Sequence, residues 1–202
     1  MTQASILSVQ KRHGWTALAG AGLIAILMAI GGWQLGHGLY IKAKAQLAQM
    51  LLDSAWNESL RTGTPHKAWA WADAWPVARL SVPRLEISEI VLSNASGEAL
   101  AFGPGQMSAT DPSGKGLRAI AGHRDTHFAF LKDLQVGDEI TLTTLEGGKA
   151  TYSVTGTQIV DAATTNLDPT AENSLVLVTC YPFDAVARGS LRYLVITKQA
   201  IS

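Results

Sequence analysis

The amino-acid sequence predicts a mainly β domain, either a barrel or a sandwich, preceded by an N-terminal transmembrane helix and a helical stalk. No Asp, Glu, Lys or Arg occurs between Arg12 and Lys42, so this stretch suits a lipid environment. From Val77 to Ser202, short runs of β-forming residues alternate with turn residues at the spacing of an all-β barrel or sandwich. No run of ten or more residues in that region has strong helical periodicity.

The composition excludes several classes of protein. The chain has 202 residues, of which 47% are hydrophobic and 16% charged, and this balance argues against intrinsic disorder. Sixteen Lys and Arg residues offset sixteen Asp and Glu residues, so the chain offers no basic face to nucleic acid. A single cysteine, Cys180, rules out an internal disulfide framework and a cysteine-rich zinc site. We therefore expect no nucleic-acid partner, no metal and no other cofactor.

The predicted transmembrane helix covers residues 15–40 and follows a short tail over residues 1–14. Its most apolar part, Trp15–Trp33, contains nineteen residues. At ~1.5 Å per residue such a helix spans about 28 Å, close to the thickness of the hydrocarbon core of a bilayer. A tryptophan at each end is typical of anchoring at the membrane interface.

A cleaved signal peptide is the alternative interpretation of the same segment. Lys11 and Arg12 would form its basic region, and Ala43–Ala45 resembles a cleavage site. The apolar stretch is longer than the ~7–15 residues of a signal peptide, which favours an uncleaved anchor. Lys42 and Lys44 balance Lys11 and Arg12, so the charges alone leave the orientation of the helix open.

A helical stalk and linker are predicted over residues 41–76. Lys42–Leu60 consists mainly of good helix formers, and Arg61–Pro65 ends the helix with Gly and Pro. The apolar positions that recur at helical spacing are Leu47, Met50, Leu51, Ala55 and Trp56.

The remaining residues, 77–202, form a stretch long enough to bury a core of its own. Glu146–Lys149 separates two β-rich runs and is the clearest hairpin turn. The predicted strands are Val77–Val82, Ile87–Leu92, Leu117–Ala121, Glu139–Leu145, Ala150–Val160, Leu175–Thr179 and Tyr193–Thr197.

Cys180 is the first candidate for chemistry. It follows the apolar run Leu175–Thr179 and precedes Tyr181 and Pro182, so it lies where a buried strand ends and the chain leaves the sheet. Many free cysteines are simply small buried side chains, and position alone leaves the two interpretations about equal. A lone thiol in a chain that faces an oxidising compartment is prone to react, which favours a nucleophile.

A nucleophilic thiol needs a base or a cation nearby, because the thiolate is the attacking species. Of the five histidines, only His123 and His127 belong to the predicted β domain. His123 follows the strand Leu117–Ala121 directly after Gly122, whereas His127 comes four residues later in a predicted loop. For either residue alone, an ordinary loop histidine is as good an interpretation as a catalytic one.

Negative charge that develops on a carbonyl oxygen needs a fixed donor, and arginine supplies a planar donor that stays charged. Arg188 and Arg192 both follow Cys180 in sequence. Arg192 opens the apolar run Tyr193–Thr197 and is therefore anchored on a strand, whereas Arg188 precedes Gly189 in a predicted loop. Rigidity favours Arg192 as the catalytic cation.

Three segments in the right order resemble the sortases, a family of membrane-anchored cysteine transpeptidases. Val176–Cys180 (VLVTC) resembles the TLxTC signature of the family, with Val in place of the first Thr. Ala121–Thr126 (AGHRDT) resembles the segment that carries the family's histidine. Leu191–Tyr193 (LRY) resembles the segment that carries its arginine.

Further landmarks extend this resemblance over residues 77–197. Gly103–Gly105 and Leu134–Asp138 are similar to family segments, and the CYPF sequence of Cys180–Phe183 is similar to class D sortases and a small Gram-negative group. The resemblance implies a closed eight-stranded β-barrel behind a single-pass anchor. It also implies that the catalytic domain lies on the outer, periplasmic side of the bacterial cytoplasmic membrane, which resolves the orientation.

The resemblance implies a mechanism as well. Cys180 would attack the carbonyl between Thr and Gly of an LPxTG-like sorting signal and form a thioester acyl-enzyme. His123, across the groove, would protonate the departing amine and later help deprotonate the incoming one. Arg192, on the strand adjacent to Cys180, would hold the substrate backbone and stabilise the oxyanion. Ala121 and Thr179 match positions that line the family's substrate groove.

The implied partners are a secreted protein that ends in such a signal and an amine acceptor that the sequence does not identify. A thiol peptidase that resolves the thioester with water fits the same residues. An inactive, membrane-tethered barrel that binds a partner is an alternative from a different class. An L,D-transpeptidase is disfavoured because no Ser-x-Gly-Cys context precedes Cys180.

Overall fold

The computed structural model describes the backbone of residues 3–108, 116–145, 148–168, 171, 173–185, 187 and 189–200, with side chains from residue 20 onward. The chain divides into two compact units, Met1–Leu47 and Ala48–Ser202. A single helix, α1, covers Gln3–Thr62. It ends at Gly63, whose positive φ of 70° and N–H bond to the Ser59 carbonyl form a glycine cap.

The first unit contains the apolar part of α1. Within the described side chains, Gly20–Thr62 is the one helical stretch long and apolar enough to cross a membrane. The large apolar side chains from Leu23 to Ile41 are all more than half exposed, on every side of the helix. A helix that is apolar on every side needs an apolar environment, and a lipid bilayer provides one.

The last turns of α1 belong to the second unit and pack on its sheet. Leu52 and Trp56, each 2% exposed, form a cluster with Ile90 and Leu92. Of the five apolar positions predicted for the face of this helix, Ala55 and Trp56 are buried. The other three, Leu47, Met50 and Leu51, are exposed. The buried face is Ala48, Leu52, Ala55, Trp56 and Ser59.

Eight strands of the described chain close into a barrel in the order β1-β2-β3-β4-β7-β8-β6-β5. The strands are β1 Pro76–Val82, β2 Ile87–Leu92, β3 Gly105–Gln106, β4 Arg118–Ala121, β5 Glu139–Thr144, β6 Lys149–Asp161, β7 Ser174–Cys180 and β8 Leu191–Gln199. The predicted closed barrel is confirmed, and all seven strands expected from sequence are present with ends shifted by at most two residues. The two-residue β3, which joins β2 to β4, was missed. The predicted turn Glu146–Lys149 lies partly outside the described residues.

Side chains alternate between the two faces of the strands, and this alternation positions the candidate site. On β7, Leu175 and Leu177 point into the main core of the barrel. Val176 and Val178 point outward and form a second apolar cluster with Leu194 of β8. The outer face of β4, β7 and β8 is therefore an apolar surface covered by neighbouring loops rather than a fully solvated one.

Candidate active site

Cys180 and Arg192 lie directly opposite each other on neighbouring antiparallel strands. They form the last pair of the β7–β8 register, next to the pair Thr179 and Tyr193. Because faces alternate along a strand, Cys180 shares the outer face with Val178, and Arg192 shares it with Leu194. The free thiol of Cys180 is partly exposed, as a nucleophile must be.

His123 comes to the same end of the sheet through β4. This strand runs parallel to β7, with Ala121 opposite Val178. The N–H of Gly122 then donates to the Val178 carbonyl at 3.1 Å. His123 follows at once, with an exposed side chain. Backbone pairing thus brings Cys180, Arg192 and the start of the His123 loop to one end of the sheet formed by β4, β7 and β8.

Thr179 does not line the surface on which we expected it. Its side chain is 2% exposed and donates a hydrogen bond to the Gly122 carbonyl at 2.7 Å. It faces inward because it alternates with Val178 and Cys180, which point to the outer face. Thr179 instead fixes the backbone that leads into His123. Ala121 is partly buried and packs against the outer apolar cluster.

The loop after β4 folds tightly back on itself. The N–H of Phe128 donates to the His123 carbonyl at 2.9 Å, and the Phe128 ring is fully buried in the barrel core. A Cβ atom on Gly122 would lie 2.6 Å from this ring, closer than real contacts allow. Glycine is therefore required before His123 because of a close approach rather than a special φ angle.

We expect the Gly122→Ala variant to lose about 1–3 kcal/mol in its free energy of unfolding, because the added methyl group overpacks a filled core. Peptide turnover should also fall, since the displaced backbone carries His123. Chemical denaturation and steady-state kinetics measure the two effects. Gly156→Ala is the matched control, because a Cβ atom there meets nothing within 4 Å. Equal behaviour of the two variants would contradict this explanation.

His127 is engaged elsewhere. Its Nδ1 lies 2.9 Å from a carboxylate oxygen of Glu89 on β2, and both side chains are mostly buried, with exposed fractions of 16% and 21%. This contact turns the His127 ring toward β2. The side chain of His123, by contrast, is exposed at the end of β4.

The Arg192 guanidinium is held close to the backbone of its own strand. Its Nη1 donates to the carbonyls of Gly189 at 2.8 Å and Leu191 at 2.9 Å. The side chain is partly buried, and these bonds hold the guanidinium at the start of β8, where the backbone of Arg192 pairs with that of Cys180. The competing candidate, Arg188, lies outside the described residues.

An open cavity of about 250 Å³ adjoins Arg192 on the outer face. Val178 and Leu194 form part of its apolar lining, and Met107 and Leu167 contribute from neighbouring segments. Such a cavity can receive a small apolar group. Among the described residues, no group of three or more His, Cys, Asp or Glu side chains could hold a metal ion.

Comparison with known proteins identifies the family of the chain. The family model described as a sortase domain matches residues 80–200, more than half of the chain. The chain belongs to the sortase family. Sortases are cysteine transpeptidases.

Individual relatives and solved structures are also sortases. Sortase D of Bacillus subtilis (strain 168) is 30% identical over 123 residues, which cover 59% of this chain and 62% of that protein. Sortase A from Corynebacterium diphtheriae has a TM-score of 0.57 at 25% identity, with 65% of this chain and 64% of that chain covered. Sortase A of Listeria monocytogenes shares the fold, with a TM-score of 0.55 at 24% identity over 62% and 88% of the two chains. The match therefore spans less than two thirds of the first two relatives.

Sequence reasoning missed the residues that hold the site together. Glu89 precedes His127 by 38 positions, and Thr179 bonds Gly122 across 57 positions. Neither pair has a recognisable spacing in the sequence. Only the alternation of faces along β7 could have indicated that Thr179 points inward.

Proposed function

We propose that this sortase is a membrane-anchored cysteine transpeptidase that cleaves an LPxTG-like sorting signal between Thr and Gly. The observation that carries the proposal is the convergence of Cys180, Arg192 and the loop of His123 at one end of an apolar groove. Rigid strands hold the nucleophile and the cation, which suits a preorganised site.

The reaction consists of two acyl transfers. The Cys180 thiolate attacks the Thr carbonyl carbon, and Arg192 stabilises the negative charge that develops on the oxygen. The C–N bond to Gly breaks, His123 donates a proton to the departing amine, and a thioester to Cys180 remains. An incoming amine then attacks the thioester, gives up a proton to His123 and releases the thiolate.

We expect the outer face to take part in recognition of the signal. With the Thr residue at Cys180, the residues that precede it in the signal extend along the outer face, where the cavity beside Val178 and Leu194 accepts the Leu side chain. Ala121 contributes to the floor because its small side chain packs into the same apolar cluster. A partner protein that carries this signal at its C-terminus is the proposed substrate.

The apolar part of α1 is the proposed anchor, with residues 15–40 in the bilayer, residues 41–76 as stalk and linker, and residues 77–202 as the catalytic domain. The anchor would hold the barrel on the outer side of the bacterial cytoplasmic membrane. Its support is the long apolar helix within Gly20–Thr62.

We expect the full chain in detergent to join an LPxTG-type peptide to a short peptide with a free α-amine, with loss of the Gly fragment. Mass spectrometry of the products, with and without the amine, separates transfer from hydrolysis. A peptide of scrambled sequence is the control and should stay intact. Hydrolysis alone at saturating amine would identify a thiol peptidase, and an intact signal peptide would favour the tethered binding barrel.

A further inference from the structure

The loop between β7 and β8 follows the nucleophile, and its two ends are fixed independently of the site's histidine. At its start, the rings of Tyr181 and Phe183 pack with Tyr193 of β8, with centroids 5.2–6.3 Å apart. At its end, the Ser190 hydroxyl donates to the Asp161 carboxylate at 3.0 Å.

Arg124 contacts the middle of this loop. Its Nη2 donates to the carbonyl of Ala185 and, at 3.3 Å, to the carbonyl of Ala187. These contacts join parts of the chain that are 61 and 63 residues apart. A guanidinium suits this task because it is always charged and presents several N–H groups in a rigid plane.

Both contacts with the loop are made by one of the two terminal nitrogens of Arg124. The Nη1 atom of Arg124 is buried and has no hydrogen-bond partner among the described residues. A buried donor without an acceptor is destabilising, and such groups are rare in folded proteins. Among the described residues, Nη2 alone joins Arg124 to the loop.

Arg124 follows His123 directly in sequence, so one peptide unit connects the imidazole residue to the guanidinium residue. We propose that Arg124 is a positioning residue, which ties the loop after Cys180 to the loop that carries His123 and keeps the two catalytic groups facing each other. This inference rests on the proposed function. It concerns the side of the site where the amine leaves and enters.

The position of Arg124 next to His123 predicts which kinetic constant its removal changes. Proton transfer by His123 depends on its position relative to the departing amine, and a misplacement of about 1 Å can cost about 10²-fold in rate. The apolar cavity lies beyond Arg192, along Val178 and Leu194, and does not include Arg124. Loss of Arg124 should therefore lower kcat and leave KM nearly unchanged.

The test compares Arg124→Met and Arg124→Lys with wild type, all as full chains in detergent. Met keeps the apolar length but removes every donor, whereas Lys keeps the charge and offers a single ammonium group. Arg79→Met is the matched control, because Arg79 on β1 forms a salt bridge of 2.7 Å with Asp53 of α1. Both residues lie outside the candidate site. The readouts are kcat and KM for peptide transfer, the melting temperature, and trypsin cleavage after Arg188 followed by mass spectrometry.

For Arg124→Met we expect kcat to fall about 10²-fold with KM within about threefold of wild type. Cleavage after Arg188 should be about tenfold faster, as expected for the loss of a charged hydrogen bond that holds the loop. Arg124→Lys should lie between wild type and Arg124→Met in both measurements, and it decides the matter if Arg124→Met fails to fold. Arg79→Met should match wild type in both.

Wild-type kcat and wild-type cleavage in Arg124→Met would overturn the inference. Faster cleavage with unchanged kcat would overturn the catalytic role and leave only a contact with the loop. An inactive wild type would instead overturn the proposed function, and the catalytic role of Arg124 with it. The trypsin measurement would then still decide whether Arg124 holds the loop.

Discussion

We expect the Cys180→Ala variant to form no covalent adduct with an LPxTG-type peptide and to lose turnover by about 10⁴-fold or more, because the attacking atom is removed. Cys180 is the last residue of β7, and its backbone pairs with Arg192 whatever the side chain is. The sulfur is partly exposed, so little core packing is lost. The fold should therefore survive the substitution, and the loss of activity should be purely chemical.

Intact-mass spectrometry of the full chain in detergent measures this prediction. Wild type should gain the mass of the acyl fragment after incubation with the peptide, and Cys180→Ala should not. Cys180→Ser is the closest isosteric control and should also be inactive, because a hydroxyl is far less ionised than a thiol near neutral pH. An adduct on the alanine variant, or full function of the serine variant, would mean that Cys180 is not the nucleophile.

The strands were predictable because local signals agree with the fold. β2, for example, is bounded by turn residues and contains Ile87–Leu92, the range expected from sequence. β3 was not predictable, since two residues cannot show periodicity, and Gly105–Gln106 forms a strand only because β2 and β4 lie on either side. Pairing with distant residues, rather than propensity, creates this strand.

The buried face of α1 shows a similar limit. Leu47, Met50 and Leu51 are as apolar as Leu52, and their spacing suits a helix equally well. The packing partners decide which face is buried, and Leu52 contacts the cluster that includes Ile90. Since those partners come from a strand almost forty residues later, the sequence of the helix does not contain the answer.

The candidate site could be predicted as residue types but not as contacts. The positions of Cys180 and Arg192 at strand ends were visible, and their cross-strand pairing is now given by the β7–β8 register. The approach of His123 depends on the parallel pairing of β4 with β7, which no local pattern reveals. The inward direction of the Thr179 side chain follows from the alternation of faces along β7.

Substitution of His123 or Arg192 should also cause a large loss of catalytic activity. We expect His123→Ala to lower kcat/KM by about 10²–10⁴-fold, the usual contribution of general acid–base catalysis. Arg192→Ala should lower it by about 10²–10³-fold, as expected when a donor to the developing oxyanion is removed. Neither side chain belongs to the barrel core, so circular dichroism and melting temperature should stay close to wild type.

His127→Ala is the matched control for the histidine, because it lies in the same loop and differs in what it contacts. Its ring bonds to Glu89, so its removal leaves a mostly buried carboxylate without this partner and should reduce stability more than kcat. His123→Ala should show the opposite balance. If His127→Ala alone abolished turnover while His123→Ala remained active, the imidazole that serves Cys180 would be the one beside β2. The exposed position of His123 next to the end of β7 would then have no catalytic meaning.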